Sequence, residues 1–132
     1  MQHQKERCIM LKLIMCVKRL PELTREEFDS HWHDRHAPLV RRHSAVLGIR
    51  KYIQTISLPN PAAQIALQNG RGAEPVDFDG CAELWWDDLE SHLVARKTPQ
   101  GLRTLQELVE DERRFVDLSR SQLWYGQERI VL

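Results

Sequence analysis

Between Ile9 and Val17 every odd position is apolar (Ile9, Leu11, Leu13, Met15 and Val17), while Lys12 interrupts the even set of Met10, Ile14 and Cys16. A period of two with one unbroken apolar side predicts a β-strand packed on a core. Pro21 ends the pattern, and Thr24-Arg25-Glu26-Glu27 has the spacing of a capping box, so a helix is expected from Arg25. Phe28 and Trp32, then Leu39 and Val40, form its inner stripe, and Pro38 should kink it or open a second helical turn. Gly48 reads as the helix stop, followed by a second strand from Ile49 to Leu58.

Residues 59–79 hold three prolines, two glycines and two asparagines, which predicts a long surface loop with one helical turn at Ala62–Leu67. Cys81–Trp86 reads as a third strand. Asp87 or Asp88 can cap a short helix over Leu89–Arg96, and Thr98-Pro99 starts another. In that last helix Leu102, Leu105, Leu108, Val109, Phe115 and Val116 recur at three- and four-residue intervals. Leu123–Val131 makes a fourth strand. The order β-α-β, loop, β-α-β implies an α+β fold of ferredoxin-like topology, with a four-stranded antiparallel sheet and its helices on one face.

The second face of that sheet is also apolar in part. Met10, Ile14 and Cys16 lie opposite the first strand's buried set, and the pairs Trp85-Trp86 and Trp124-Tyr125 each send one aromatic to either side. Leaving such a face wet forgoes several kcal/mol at about 25 cal/mol per Å². A second copy of the same sheet is the economical cover, so a homodimer is expected, the two sheets closing around a shared interior.

At 132 residues the chain fits one domain, 1–132, with a polar N-terminal extension over residues 1–7. Basic and acidic residues balance at 19 each, which gives no electrostatic argument for a nucleic-acid partner. The three cysteines form neither a disulfide framework nor a CxxC motif and read as reduced thiols. Without an export signal or a span-length apolar run, a cytoplasmic location away from membranes is expected.

Three of the six histidines fall between Phe28 and Leu39. His31, His33 and His36 are spaced by two and three, not the four of a helical zinc pair. Only a weak facial cluster of His33, His36 and His43 would suggest a metal, and no metal site is expected. His31 and His33 read as helix-surface residues. His36 precedes Ala37-Pro38, where the proline can tilt it toward the sheet. It reads either as an acid–base group working near neutral pH or as a structural imidazole bonded to a backbone carbonyl. No P-loop, dinucleotide fingerprint or nucleophile triad accompanies it, so no cofactor is expected.

Several of these residues resemble the EthD domain family of dimeric α/β-barrel proteins. They are Lys12-Leu13, Lys18-Arg19, Thr24 to Phe28, His31-Trp32, His36 to Val40, Asp79 to Trp85, and Asp111 to Asp117. The resemblance implies a ferredoxin-like subunit, a homodimeric barrel, and a cleft between sheet and helices for a small hydrophobic or aromatic molecule. It implies His36 as the acid–base group, with Trp32, Tyr52, Glu83 and Trp85 as candidate ligand-binding residues. For Glu83, pairing with Arg35 or Arg50 is the structural alternative. Relatives of this family include dehydratases, decarboxylases, cofactor-independent oxygenases and haem-binding proteins. The expectation is therefore a cofactor-independent lyase, dehydratase or oxygenase, or else a non-catalytic binding or accessory protein of a degradation pathway.

Overall fold

A computed structural model describes residues 10–132; the expected 1–7 extension, Cys8 and Ile9 lie outside the described residues. Strand β1 (Leu11–Val17) leads into helix α1 (Arg25–His31), a π-helical turn (Trp32–His36) and helix α2 (Ala37–Leu47). Then follow β2 (Lys51–Ile56), α3 (Pro61–Arg71), β3 (Gly80–Trp86), α4 (Leu89–Lys97), α5 (Pro99–Glu112) and β4 (Gln122–Gln127). The strands form one antiparallel sheet in the order β2-β3-β1-β4. This is the α+β, ferredoxin-like architecture expected from the order of elements.

The caps explain where the helices start. Thr24 accepts from the Glu27 amide and Glu27 accepts from the Thr24 amide, closing the capping box at α1. Asp88 caps α4 through the Ser91 amide at 2.7 Å, and Thr98 caps α5 through Gly101 at 2.9 Å. Gly48, at φ 72°, ends α2 in the left-handed conformation that glycine adopts without strain.

One expectation holds in its second form and one changes. Pro38 opens a second helical segment, in the first turn of α2 directly after the π turn: the chain stays helical from Arg25 to Leu47, and the Ala37 amide donates to the Trp32 carbonyl five residues back. The wider turn ends beside the one residue that has no backbone donor, so the proline costs little there. The segment expected as a loop with one helical turn carries the eleven-residue helix α3, capped by Asn60. That helix buries none of its residues and leaves Ile65 and Leu67 about half exposed.

Strand alternation divides the sheet cleanly. Val17, Ala82, Leu84 and Trp86 pack with Phe28, Trp32, Val40, Leu108 and Phe115 in the core under the helices, with Leu13 and Met15 partly buried against it. Burying Phe28 or Phe115 completely is worth roughly 1.5–3 kcal/mol each. The opposite face carries Lys12, Ile14, Cys16, Glu83, Trp85 and Trp124, as the pairings Lys12–Trp85, Ile14–Glu83 and Ile14–Trp124 require. No helix among the described residues is long and apolar enough to cross a membrane.

Trp32 lies over the start of β3, where only glycine leaves room. A Cβ at Gly80 would sit 2.5 Å from Trp32 Cζ3 and 3.0 Å from the Thr55 carbonyl oxygen. Gly80→Ala should cost about 1–3 kcal/mol by overpacking, read as a lower urea midpoint, and the double variant with Trp32→Phe should recover part of the loss.

Candidate functional site

The π turn decides which side chains meet. In an α-helix, residues five apart point about 140° away from each other. Here the i to i+5 hydrogen bond of the π turn brings His31 and His36 to the same side. Both then reach Asp111 on α5: His31 Nε2 lies 3.0 Å from Oδ1 and His36 Nδ1 lies 2.8 Å from Oδ2. Phe115, one turn further on, stacks against His31 at 4.6 Å and meets His36 at a tilt of 55° and 5.1 Å. Gln54 of β2 donates to the Trp32 carbonyl at 3.0 Å, which also accepts the Ala37 amide, and to the Tyr52 hydroxyl at 2.8 Å, tying the turn to the sheet.

Burial pushes the Asp111 carboxyl up, but hydrogen bonds from His36 and His31 outweigh it and hold the group below the ordinary carboxylate range. Asp111 is therefore ionised and accepts only. It follows that His36 carries its proton on Nδ1. Burial, at 5 % exposure, holds the His36 imidazole below its ordinary range despite the Asp111 charge, so the ring is neutral and presents a lone pair on Nε2. Glu112 Oε2 lies 3.9 Å from that nitrogen, beyond a direct hydrogen bond. Glu112 is itself pushed up to about 7, first by burial and then by the neighbouring Asp111 charge. A carboxyl of that strength is both acid and base near neutrality.

Glu112 lines a cavity of about 150 Å³ between sheet and helices. Leu13, Met15, Leu84 and Trp86 supply the sheet side, and Leu105, Leu108, His92 and Arg96 much of the helix side. A space of this size accepts about one benzene-sized ring.

The candidate residues named from sequence divide into two groups. His36, Trp32 and Tyr52 lie on the helix side of the sheet around the π turn. None of the three lines the cavity: His36 stands behind Glu112, Trp32 is core packed on Phe28 at 5.3 Å, and Tyr52 borders a separate surface depression. Burial raises the Tyr52 phenol. Glu83 and Trp85 point to the other face, because the period of two places them opposite Ala82, Leu84 and Trp86. There Glu83 pairs with Lys12, not with Arg35 or Arg50, and Arg50 pairs with Asp87 at 2.7 Å. Lys12 and Lys51 each stand 4.8 Å over the Trp85 ring.

The histidine expectations also shift. His36 bonds a carboxylate instead of a backbone carbonyl. His31 is no surface residue, whereas His33 is exposed beside Asp34. His43 pairs with Glu107, so His33, His36 and His43 do not converge. Sequence reasoning missed Asp111 and Glu112, although a signal was present: both fall within the Leu108–Phe115 stripe, where acids interrupt an apolar face.

The sequence profile of the EthD domain matches residues 20–119. The chain belongs to the EthD domain family. A crystal structure of an ethyl tert-butyl ether D (EthD) family protein from Bacillus halodurans is 28% identical, covers 91% of this chain and 99% of its own, and has a TM-score of 0.60. Hydroxynitrile lyase from Passiflora edulis shares the fold at 10% identity, covering 93% and 96% with a TM-score of 0.59. A Bacteroides fragilis protein, described as dimeric with a ferredoxin-like fold and unknown function, is 13% identical over 90% and 96%, at a TM-score of 0.57. No protein of curated function matches in sequence. Within this EthD domain the acids of α5 stand beside the histidine of the π turn.

The Glu112 shift carries a sign. Between the ordinary value of 4.5 and about 7 the folded state keeps a proton that the unfolded chain has released, so this contribution to stability is lost as pH rises through that window. His36, held low, acts in the opposite sense: its contribution is lost as pH falls. Glu112→Gln removes only the first effect. Relative to the parent, the variant should gain on the order of 3 kcal/mol between pH 4.5 and 7.5, measured by urea unfolding at both pH values.

Proposed function

We propose that this EthD domain binds a small hydrophobic or aromatic molecule in the sheet–helix cavity and moves a proton on it, with Glu112 as the group meeting the ligand. His36 serves as the proton reservoir behind it, and Asp111 sets the His36 tautomer. The observation that carries this reading is a carboxyl poised near 7 in the wall of an apolar cavity, backed by a buried neutral imidazole. Such a pair supports elimination, decarboxylation or enolisation without an intermediate held on the protein. Of the reactions open to the family, lyase or dehydratase chemistry therefore fits better than oxygenation.

Two copies pair, on this reading, through the outer sheet face. Trp124, 54% exposed beside Ile14, is the large apolar side chain there that the subunit leaves uncovered. The Bacteroides fragilis protein is described as dimeric, which supports the pairing of two copies. The species in solution should have twice the 15.5 kDa chain mass, and Trp124→Glu should return it to one chain in sedimentation equilibrium.

Acetophenone, a single ring with acidic C–H bonds beside its carbonyl, tests the chemistry. Deuterium exchange of its methyl protons, followed by NMR, should be accelerated by the parent protein. Glu112→Gln should lower that rate 10²–10⁴-fold, and His36→Ala at least tenfold. Exchange at the parent rate in both variants would sink the assignment, and binding without exchange would favour the accessory-protein reading.

A further inference from the structure

The same cavity wall holds a second polar pair that proton transfer at Glu112 does not use. His92 is 1% exposed, with its ring 4.1 Å from that of Trp86. Its Nε2 lies 2.8 Å from the Tyr125 hydroxyl and 3.1 Å from Arg96 Nη1. A guanidinium has donors only, so Nε2 must accept, and the imidazole is neutral with its proton on Nδ1. Burial, and then the Arg96 charge, push the ring down to about 4, in agreement with that tautomer. Nδ1 is itself buried and has no hydrogen-bond partner among the described residues.

His92 therefore orients the Arg96 guanidinium without neutralising it. No carboxylate among the described residues lies within 4 Å of Arg96, and that includes Glu112 on the same wall. A half-buried cation facing a mostly apolar space, with no acid of its own, recovers its desolvation cost when an anion enters. One Arg96 nitrogen is held by His92, and the remaining N–H groups keep the planar fork that suits a carboxylate.

We propose that Arg96 anchors a carboxylate on the ligand of this cavity, so that the occupant is a small acid with one aromatic ring or an apolar body of similar size. This rests on the cavity being the ligand site and adds the charge of its occupant. The ring lies among Leu84, Leu105 and Leu108, and the carboxylate meets Arg96. A bound anion also favours the protonated form of Glu112, which places an acid beside the ligand.

Benzoate and benzamide have the same shape and differ in charge. By calorimetric titration, benzoate should bind the parent protein about tenfold more tightly than benzamide. Arg96→Gln should bring benzoate to the benzamide level and leave benzamide within twofold. Equal binding of the two probes by the parent, or a benzoate preference that survives in Arg96→Gln, would overturn the anion assignment while leaving the cavity reading intact. Failure of both probes to bind would overturn the cavity reading and this inference together. If Arg96→Gln does not melt cooperatively, Arg96→Lys carries the test: benzoate should weaken several-fold with benzamide unchanged, and an unchanged benzoate affinity would overturn the proposal.

Discussion

One buried carboxylate organises this domain. Asp111 sits under the surface of α5 and remains ionised only because His31, His36 and, at 3.2 Å, Arg114 surround it with donors. The two histidine bonds hold the fold together, since they join the helical segment after β1 to the helix before β4 across 75 and 80 residues of chain. They also set the chemistry. An ionised Asp111 requires the proton of His36 to sit on Nδ1, which leaves Nε2 as a base, and its charge is one of the two causes that raise Glu112.

That arrangement depends on the π turn. With 3.6 residues per turn, His31 and His36 could not both reach one carboxylate from a single helix. The five-residue register makes them neighbours, and Pro38 makes that register cheap by lacking the donor an α-helical continuation would use. Gln54 then secures the Trp32 carbonyl from the sheet side. The acid–base group is thus positioned by backbone geometry as much as by side-chain chemistry.

The sheet keeps two kinds of environment apart. On the helix face, apolar strand residues and α5 enclose a space with polar groups in its walls, Glu112, His92 and Arg96 among them. On the other face Lys12 and Lys51 cover Trp85, Glu83 neutralises Lys12, and Trp124 stays open. Glu83 and Trp85 attract attention in the sequence because a charge and an aromatic stand in an apolar strand. Their partners are nonetheless on the face away from the cavity, and a one-residue step along β3 is enough to make that difference.

What was legible in the sequence was local. Alternation located the strands, the Thr24–Glu27 box, the pair Asp87-Asp88 and Thr98 marked helix starts, and Gly48 marked a stop, because each of these signals acts within a few residues. The order of those elements was enough for the ferredoxin-like topology. The 59–79 segment misled because its prolines and glycines fall at or near the helix ends: Pro61 opens α3, Gly70 sits in its last turn and Gly72 closes it. The site was legible only in part. His36 stood out, but its partner Asp111 lies 75 residues away, and Glu112 gains its character from burial that no local pattern records. Periodicity and capping chemistry belong to the chain itself, whereas tautomer, proton affinity and the face a side chain serves come from long-range packing, and only the folded structure decides them.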